Sequence, residues 1–111
     1  MPIAAANRIE ALRQKLGVTQ KLMVRILAVT ERTVVDLESG KPMSEGIGRR
    51  VTELGRLVRE LSKVVRRQAI GRWLAEPNGA FDGDAPADLI ASGKVDLLWR
   101  MIFELRAGVA S

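Results

Sequence analysis

The stretch LGVTQKLMVRILAVTERTVVDLESGK, Leu16–Lys41, decides the fold of this 111-residue chain. Thr19 stands where an N-cap belongs, and behind it Leu22, Met23, Ile26 and Leu27 fall on one face at helical spacing. Ala28-Val29 leaves room for a short turn. Thr30 then caps a further run carrying Val34 and Leu37, Gly40 stops it, and Pro42 prevents its continuation. Two helices of about eight residues joined by a tight turn lie across one another. That geometry presents the N-terminal end of the second helix to a DNA major groove.

Working outward, Ile3, Ile9, Leu12 and Leu16 predict a preceding helix that Gly17 ends. From Ser44 the residues Ile47, Val51, Leu54, Val58, Leu61 and Val65 alternate by four and three, flanked by Leu57 and Val64, which predicts one long helix to about Ala75. Its seam fits either a core face against the first three helices or a dimer seam. Gly48, Gly55 and Gly71 each cost about 1 kcal/mol against Ala in a helix interior, so one of them marks a kink or a close helix approach. Pro77-Asn78-Gly79 stops the pattern. Pro86 starts a short helix through Ala91, Gly93 ends it, and Val95 to Leu105 reads as a final helix. No strand pattern is present, so the chain is expected to be all-α: a helix-turn-helix with a long basic helix over residues 1–68, and a small helical module over 69–111.

Composition excludes more than it assigns. The chain has no Cys, His or Tyr, which removes thiol nucleophiles, imidazole bases, the usual zinc ligands and disulfides. The serines sit in no G-x-S-x-G context, and no phosphate-binding glycine loop occurs. An enzyme, a cofactor or a metal site is therefore not expected. The N-terminus meets charge within its first ten residues, so neither a signal peptide nor a membrane span is expected, and a cytoplasmic location follows. The net charge of +5 is uneven: residues 1–40 carry +2, residues 41–76 carry +5 and residues 77–111 carry −2. Arg49, Arg50, Arg56, Arg59, Lys63, Arg66, Arg67 and Arg72 make the central segment basic. They suit DNA phosphates or an acidic partner, or else pair along the helix with Glu45, Glu53 and Glu60. Arg49 is placed to pair with Glu45 and Glu53. Arg66, Arg67 and Arg72 read as the unpaired ligand candidates.

Thr19-Gln20, Met23-Val24, Leu27, Val29-Thr30 and Glu38-x-Gly40-Lys41 resemble the phage-repressor-like (Xre) helix-turn-helix family. By that resemblance Gln20 donates to a phosphate, Glu31, Arg32, Thr33 and Asp36 stand at base-facing positions, and Arg13 pairs with Glu38 inside the fold. That last pair also makes sense alone, since a partly buried carboxylate without a partner is costly. Two departures stand out. Ala28 occupies the family's usual turn glycine, which predicts either a strained left-handed residue or a remodelled turn. The recognition helix Glu31–Glu38 holds one Arg against three acids, an unfavourable face for phosphates, so either Glu31 or Asp36 accepts from cytosine N4 while arginines of the long helix hold the backbone, or the unit is only a scaffold.

The segment WLAEPNGAFDGDAPADLIASG, Trp73–Gly93, is neither a calcium loop nor a plain linker. The twelfth position counted from Asp82 is Gly93, where a calcium loop needs Glu. Linkers do not set Trp73, Leu74 and Phe81 around a tight turn, so these side chains are expected to pack on Leu89 and Ile90. Trp73, Leu74, Pro77, Asn78, Phe81, Gly83, Pro86, Asp88, Leu89, Ile90, Gly93 and Gly108 resemble the toxin-binding module of the MbcA/ParS/Xre antitoxins. With the Xre unit ahead of it, the resemblance spans nearly the whole chain. Ala85 stands where the family often has Ser or Thr, and Asp84 is the candidate substitute cap. The resemblance implies an antitoxin to a RES-domain toxin that destroys NAD, neutralised when the C-terminal helix and tail block its cleft. It also implies operator DNA as a partner and a homodimer or toxin–antitoxin hetero-oligomer. On the last helix, Leu98, Met101, Ile102 and Leu105 are expected to face the core. Trp99, Arg100, Phe103 and Arg106, followed by Gly108, Val109, Ala110 and Ser111, are the expected toxin contacts, aromatics and arginines being common interface anchors, unless Trp99 and Phe103 instead complete the core. The alternative is a stand-alone repressor-type regulator whose C-terminal module dimerises or senses.

Overall fold

The computed structural model describes residues 5–108, with side chains from Ile9 onward. Helix α1 (Ala5–Leu16) leads into α2 (Gln20–Leu27) and α3 (Glu31–Glu38), and then α4 (Glu45–Leu61), α5 (Arg67–Ala75), α6 (Pro86–Ala91) and α7 (Val95–Arg106) follow. A single 3₁₀ turn, Gly79–Phe81, lies between α5 and α6. Ile3 and the tail residues Val109, Ala110 and Ser111 lie outside the described residues.

The helix starts are set locally. Thr19 Oγ1 accepts from the Leu22 amide at 3.1 Å, Thr30 Oγ1 from Thr33 at 3.1 Å and Ser44 Oγ from Ile47 at 3.2 Å. Each cap satisfies an amide that the first helical turn leaves orphaned and is worth about 1 kcal/mol. Between α2 and α3 the turn takes the first of the two forms expected at Ala28. Ala28 adopts the left-handed conformation, φ 55° and ψ 48°, where a Cβ is strained.

The expected single helix from Ser44 to Ala75 is two helices. α4 ends at Leu61, where the Ser62 hydroxyl donates back to the Arg59 carbonyl at 2.7 Å and the Val65 amide closes on Leu61 O at 2.7 Å. Ser62, Val64 and Val65 are weak helix formers, and Arg66 takes an extended backbone that redirects the chain. The reason for the new direction is Gly71. A Cβ there would lie 2.7 Å from Leu16 O and 2.9 Å from Val18 Cγ1, so α5 crosses the end of α1 at a distance only glycine allows. Gly71 is thus the close approach foreseen among the helical glycines. It lets Ile70 and Leu74 enter the core.

The heptad-like seam serves that core: Val51, Leu54, Leu57, Val58 and Leu61 are all buried within one chain. A single cluster runs from Ile9 through Met23, Leu54 and Leu74 to Leu98 and Ile102. The expected division between residues 68 and 69 falls in the first turn of α5, and the cluster spans both sides of it. α6 packs chiefly on α2, and Arg25 closes a two-bond pair on Asp88 at 3.0 and 3.3 Å.

The corner before α6 is closed by Asn78. Its amide donates to Asp84 O, its carbonyl accepts from Phe81 and Gly83, and its side chain accepts from Ala80 at 2.9 Å. Trp73 and Phe81 meet edge to face at 6.4 Å, with Phe81 and Leu89 buried and Ile90 packed against the same cluster. Asp84 does not cap α6. Ala85 is the cap residue and offers no side-chain bond, and Pro86 at the first position leaves one amide fewer to satisfy.

Candidate functional site

Two faces carry the candidate functional side chains. The first is α3. Arg13 grips Glu38 with Nε at 3.1 Å and Nη2 at 2.9 Å, as expected. The bond to that carboxylate raises the Arg13 pKa further, against the opposing effect of partial burial. Gln20 also reaches Glu38: its amide donates to both carboxylate oxygens at 3.3 Å. The expected phosphate donor is thus engaged within the fold. Thr33 Oγ1 lies 2.9 Å from Thr30 Oγ1. Asp36 Oδ1 forms ion pairs with Arg32 Nε at 3.2 Å and Lys41 Nζ at 3.5 Å. Of the three acids on α3, two are therefore neutralised in place. Glu31 has no ion pair among the described residues and is exposed.

The basic residues behind this face divide. Arg49 pairs with Glu45 at 3.5 Å but not with Glu53. Arg50 donates to Leu27 O at 2.6 Å and so satisfies a carbonyl at the end of α2. Arg72, expected to be unpaired, is held by Glu76 at 2.7 Å, an acid one turn ahead that the sequence reading passed over. That bond raises the Arg72 pKa. Arg66 and Arg67 are exposed, without an ion pair among the described residues.

The second face is the flank of α7 that leans on α4. Trp99 Nε1 donates to Glu53 Oε1 at 2.8 Å, and Arg106 Nη1 donates to Glu60 Oε1 at 2.5 Å. Both pairs are separated by 46 residues, so α4 and α7 run parallel, one heptad of each between the two bonds. Lys63 also binds Glu60, at 3.1 and 3.2 Å. Between these ties Phe103 stands 72% exposed. It lines a groove of about 420 Å³ with Glu60, Trp99, Ile102, Arg106 and Ala107.

The structure thus brings Trp99, Phe103 and Arg106 together, as expected, but two of the three are tied down from within. Glu53 and Glu60, which tie them, were missed. Their partners lie on another helix, beyond any local spacing. Arg100 is exposed, and Gly108 is the last described residue of the tail. Leu98 and Ile102 are buried as expected. Leu105 is not: it is exposed, because near the end of α7 the core no longer reaches that side, and Leu97, in the first turn, is exposed as well. Among the described residues no group of His, Cys, Asp and Glu is placed to hold a metal ion, and no helix is long and apolar enough to cross a membrane.

No family model matches the chain. Over 94 residues it is 30% identical to a probable mycobacterial cidal antitoxin of Mycobacterium tuberculosis, covering 85% of this chain and 80% of that one. The chain belongs to the mycobacterial cidal antitoxin family. It is an antitoxin of a toxin–antitoxin system. The antitoxin is also 24% identical over 105 residues to the mycobacterial cidal antitoxin MbcA of Mycobacterium bovis, covering 94% of this chain and 93% of that one. Its fold matches a chain of the crystal structure of the M. tuberculosis MbcT–MbcA toxin–antitoxin complex, with a TM-score of 0.77, 23% identity, and 97% and 98% of the two chains covered.

Proposed function

We propose that this antitoxin neutralises a cognate toxin by setting the exposed flank of α7 into the toxin's cleft. The observation that carries the reading is Phe103. A large aromatic left 72% exposed beside an apolar groove gains nothing within the chain and is the residue type that anchors protein interfaces. Trp99 and Arg106, held by Glu53 and Glu60, frame it, so little side-chain entropy is lost on docking. Arg100 and the tail Gly108–Ser111 complete the proposed contact.

In this reading the toxin is a RES-domain enzyme that degrades NAD, and α7 with the tail occludes its active site. The antitoxin performs no catalysis itself. Residues 1–68 carry a second task, repression of the chain's own operon through operator DNA, as a homodimer or within a toxin–antitoxin hetero-oligomer in the cytoplasm. The crossed α2–α3 pair supports this, because its paired acids leave α3 less hostile to phosphates than its composition suggests.

Co-expression with the product of the neighbouring gene tests the reading. The wild-type chain should copurify with it and preserve cellular NAD. Phe103→Asp should melt as the wild type does yet fail on both counts. A complex that survives Phe103→Asp and Arg106→Glu together would place the interface elsewhere.

A further inference from the structure

Of the α2 and α3 residues that the resemblance sets at the DNA face, only Glu31 and Arg32 are free to enter a groove. Gln20 is engaged by Glu38, Thr33 by Thr30, and the Asp36 side chain is only 26% exposed and faces two cations. Arg32 is 80% exposed, and its contact with Asp36 is made through Nε. Among the described residues its Nη1 and Nη2 make no hydrogen bond, so the terminal edge of the guanidinium is open. One turn on, Val35 is 45% exposed. A β-branched residue there gains no packing and is a poorer helix former than Ala or Lys.

We propose that Arg32 reads a guanine in the major groove, with Asp36 as the positioning residue that presents it, and that Val35 meets the 5-methyl group of an adjacent thymine. The assignment rests on the DNA-binding reading given above. The open edge of the guanidinium offers two parallel donors, matched to guanine O6 and N7. An arginine already held through Nε loses less rotamer freedom on binding than a free one. Lys41, which meets the same Asp36 oxygen, balances the charge the carboxylate would otherwise turn toward the phosphates. Arg32 and Val35 are three residues apart and share a helix face, with Cβ atoms about 5–6 Å apart, a reach that covers neighbouring base pairs. Asp36 in this arrangement contacts no base, in contrast to a carboxylate accepting from cytosine N4.

The test uses the full chain and a duplex spanning its own promoter. A footprint locates the site, and fluorescence anisotropy then follows single-base variants within it. One guanine should stand out, its replacement by adenine weakening binding about tenfold or more and its replacement by 7-deazaguanine weakening it as well. Arg32→Ala should bind all three duplexes alike, and Arg32→Lys should not restore the preference. Asp36→Asn should cut the guanine preference at least about threefold while leaving binding to unrelated DNA unchanged or tighter. Replacing the adjacent thymine by deoxyuracil should weaken the wild type but not Val35→Ala. The assignment is overturned if Asp36→Asn tightens every duplex equally, which would make Asp36 a mere repelling charge, or if the guanine preference survives Arg32→Ala. A chain that gives no footprint overturns the DNA reading itself, and this assignment with it.

Discussion

α3 and α7 are short exposed helices on the same core, and they handle charge and apolar surface in opposite ways. On α3 the acids Asp36 and Glu38 are met by Arg32, Lys41, Arg13 and Gln20, and Val35 is the one large apolar residue in the open. On α7 the polar contacts to Glu53 and Glu60 face inward, while Phe103, Leu97 and Leu105 are left outside. The first face is tuned by ion pairs, the second by unburied hydrocarbon. Their partners should therefore be gained and lost under different conditions.

Salt should divide the two faces most sharply. Operator affinity should fall by on the order of 10³ between about 50 and 200 mM salt, whereas toxin affinity should hardly move in the same titration. Core damage should abolish the distinction. Leu98→Ala, at a fully buried position on the core side of α7, should cost about 2–5 kcal/mol by denaturant unfolding and weaken both activities together. Phe103→Ala should act on one face only, weakening the toxin complex by about 2 kcal/mol in calorimetry with operator binding intact. Glu38→Gln should act on the other. It weakens the part-buried bonds from Arg13, so melting should report a loss of about 1 kcal/mol, with operator binding reduced and toxin binding unchanged. Ala28→Gly should do least. Relief of the left-handed strain, offset by the greater freedom of glycine in the unfolded chain, should leave a gain of about 0.5 kcal/mol and both activities unaltered.

Helices α2 and α3 and the start of α4 were legible because their signals are local. Thr19, Thr30 and Ser44 cap from within three residues, and the apolar faces of α2 and α3 repeat at short spacing. The break after Leu61 was hidden because Val65 continues the heptad that Val58 and Leu61 set up. What ends the helix is the demand of α5 to lie against Leu16 and Val18 through Gly71, a contact 55 residues long in sequence for the Leu16 carbonyl. The corner at Asn78 was readable from Pro77-Asn78-Gly79 and its neighbouring aromatics. On α7 the pattern correctly marked Trp99, Phe103 and Arg106 as one flank, but not which of them is free. That depends on Glu53 and Glu60. It misplaced Leu105 because helical periodicity assumes a core extending along the whole helix. On the α2–α3 face the resemblance chose positions rather than partners, so it did not show that Gln20 and Asp36 were already engaged.

The one cluster that backs both faces, from Ile9 to Ile102, has a consequence for how the molecule is lost. α3 rests on α1 and α2, and α7 on α4 and α6, but one continuous cluster joins these supports, so damage at its centre reaches both surfaces. Under the proposed double function, turnover by a route that waits for the whole cluster to open would lift repression and release the poison on the same clock.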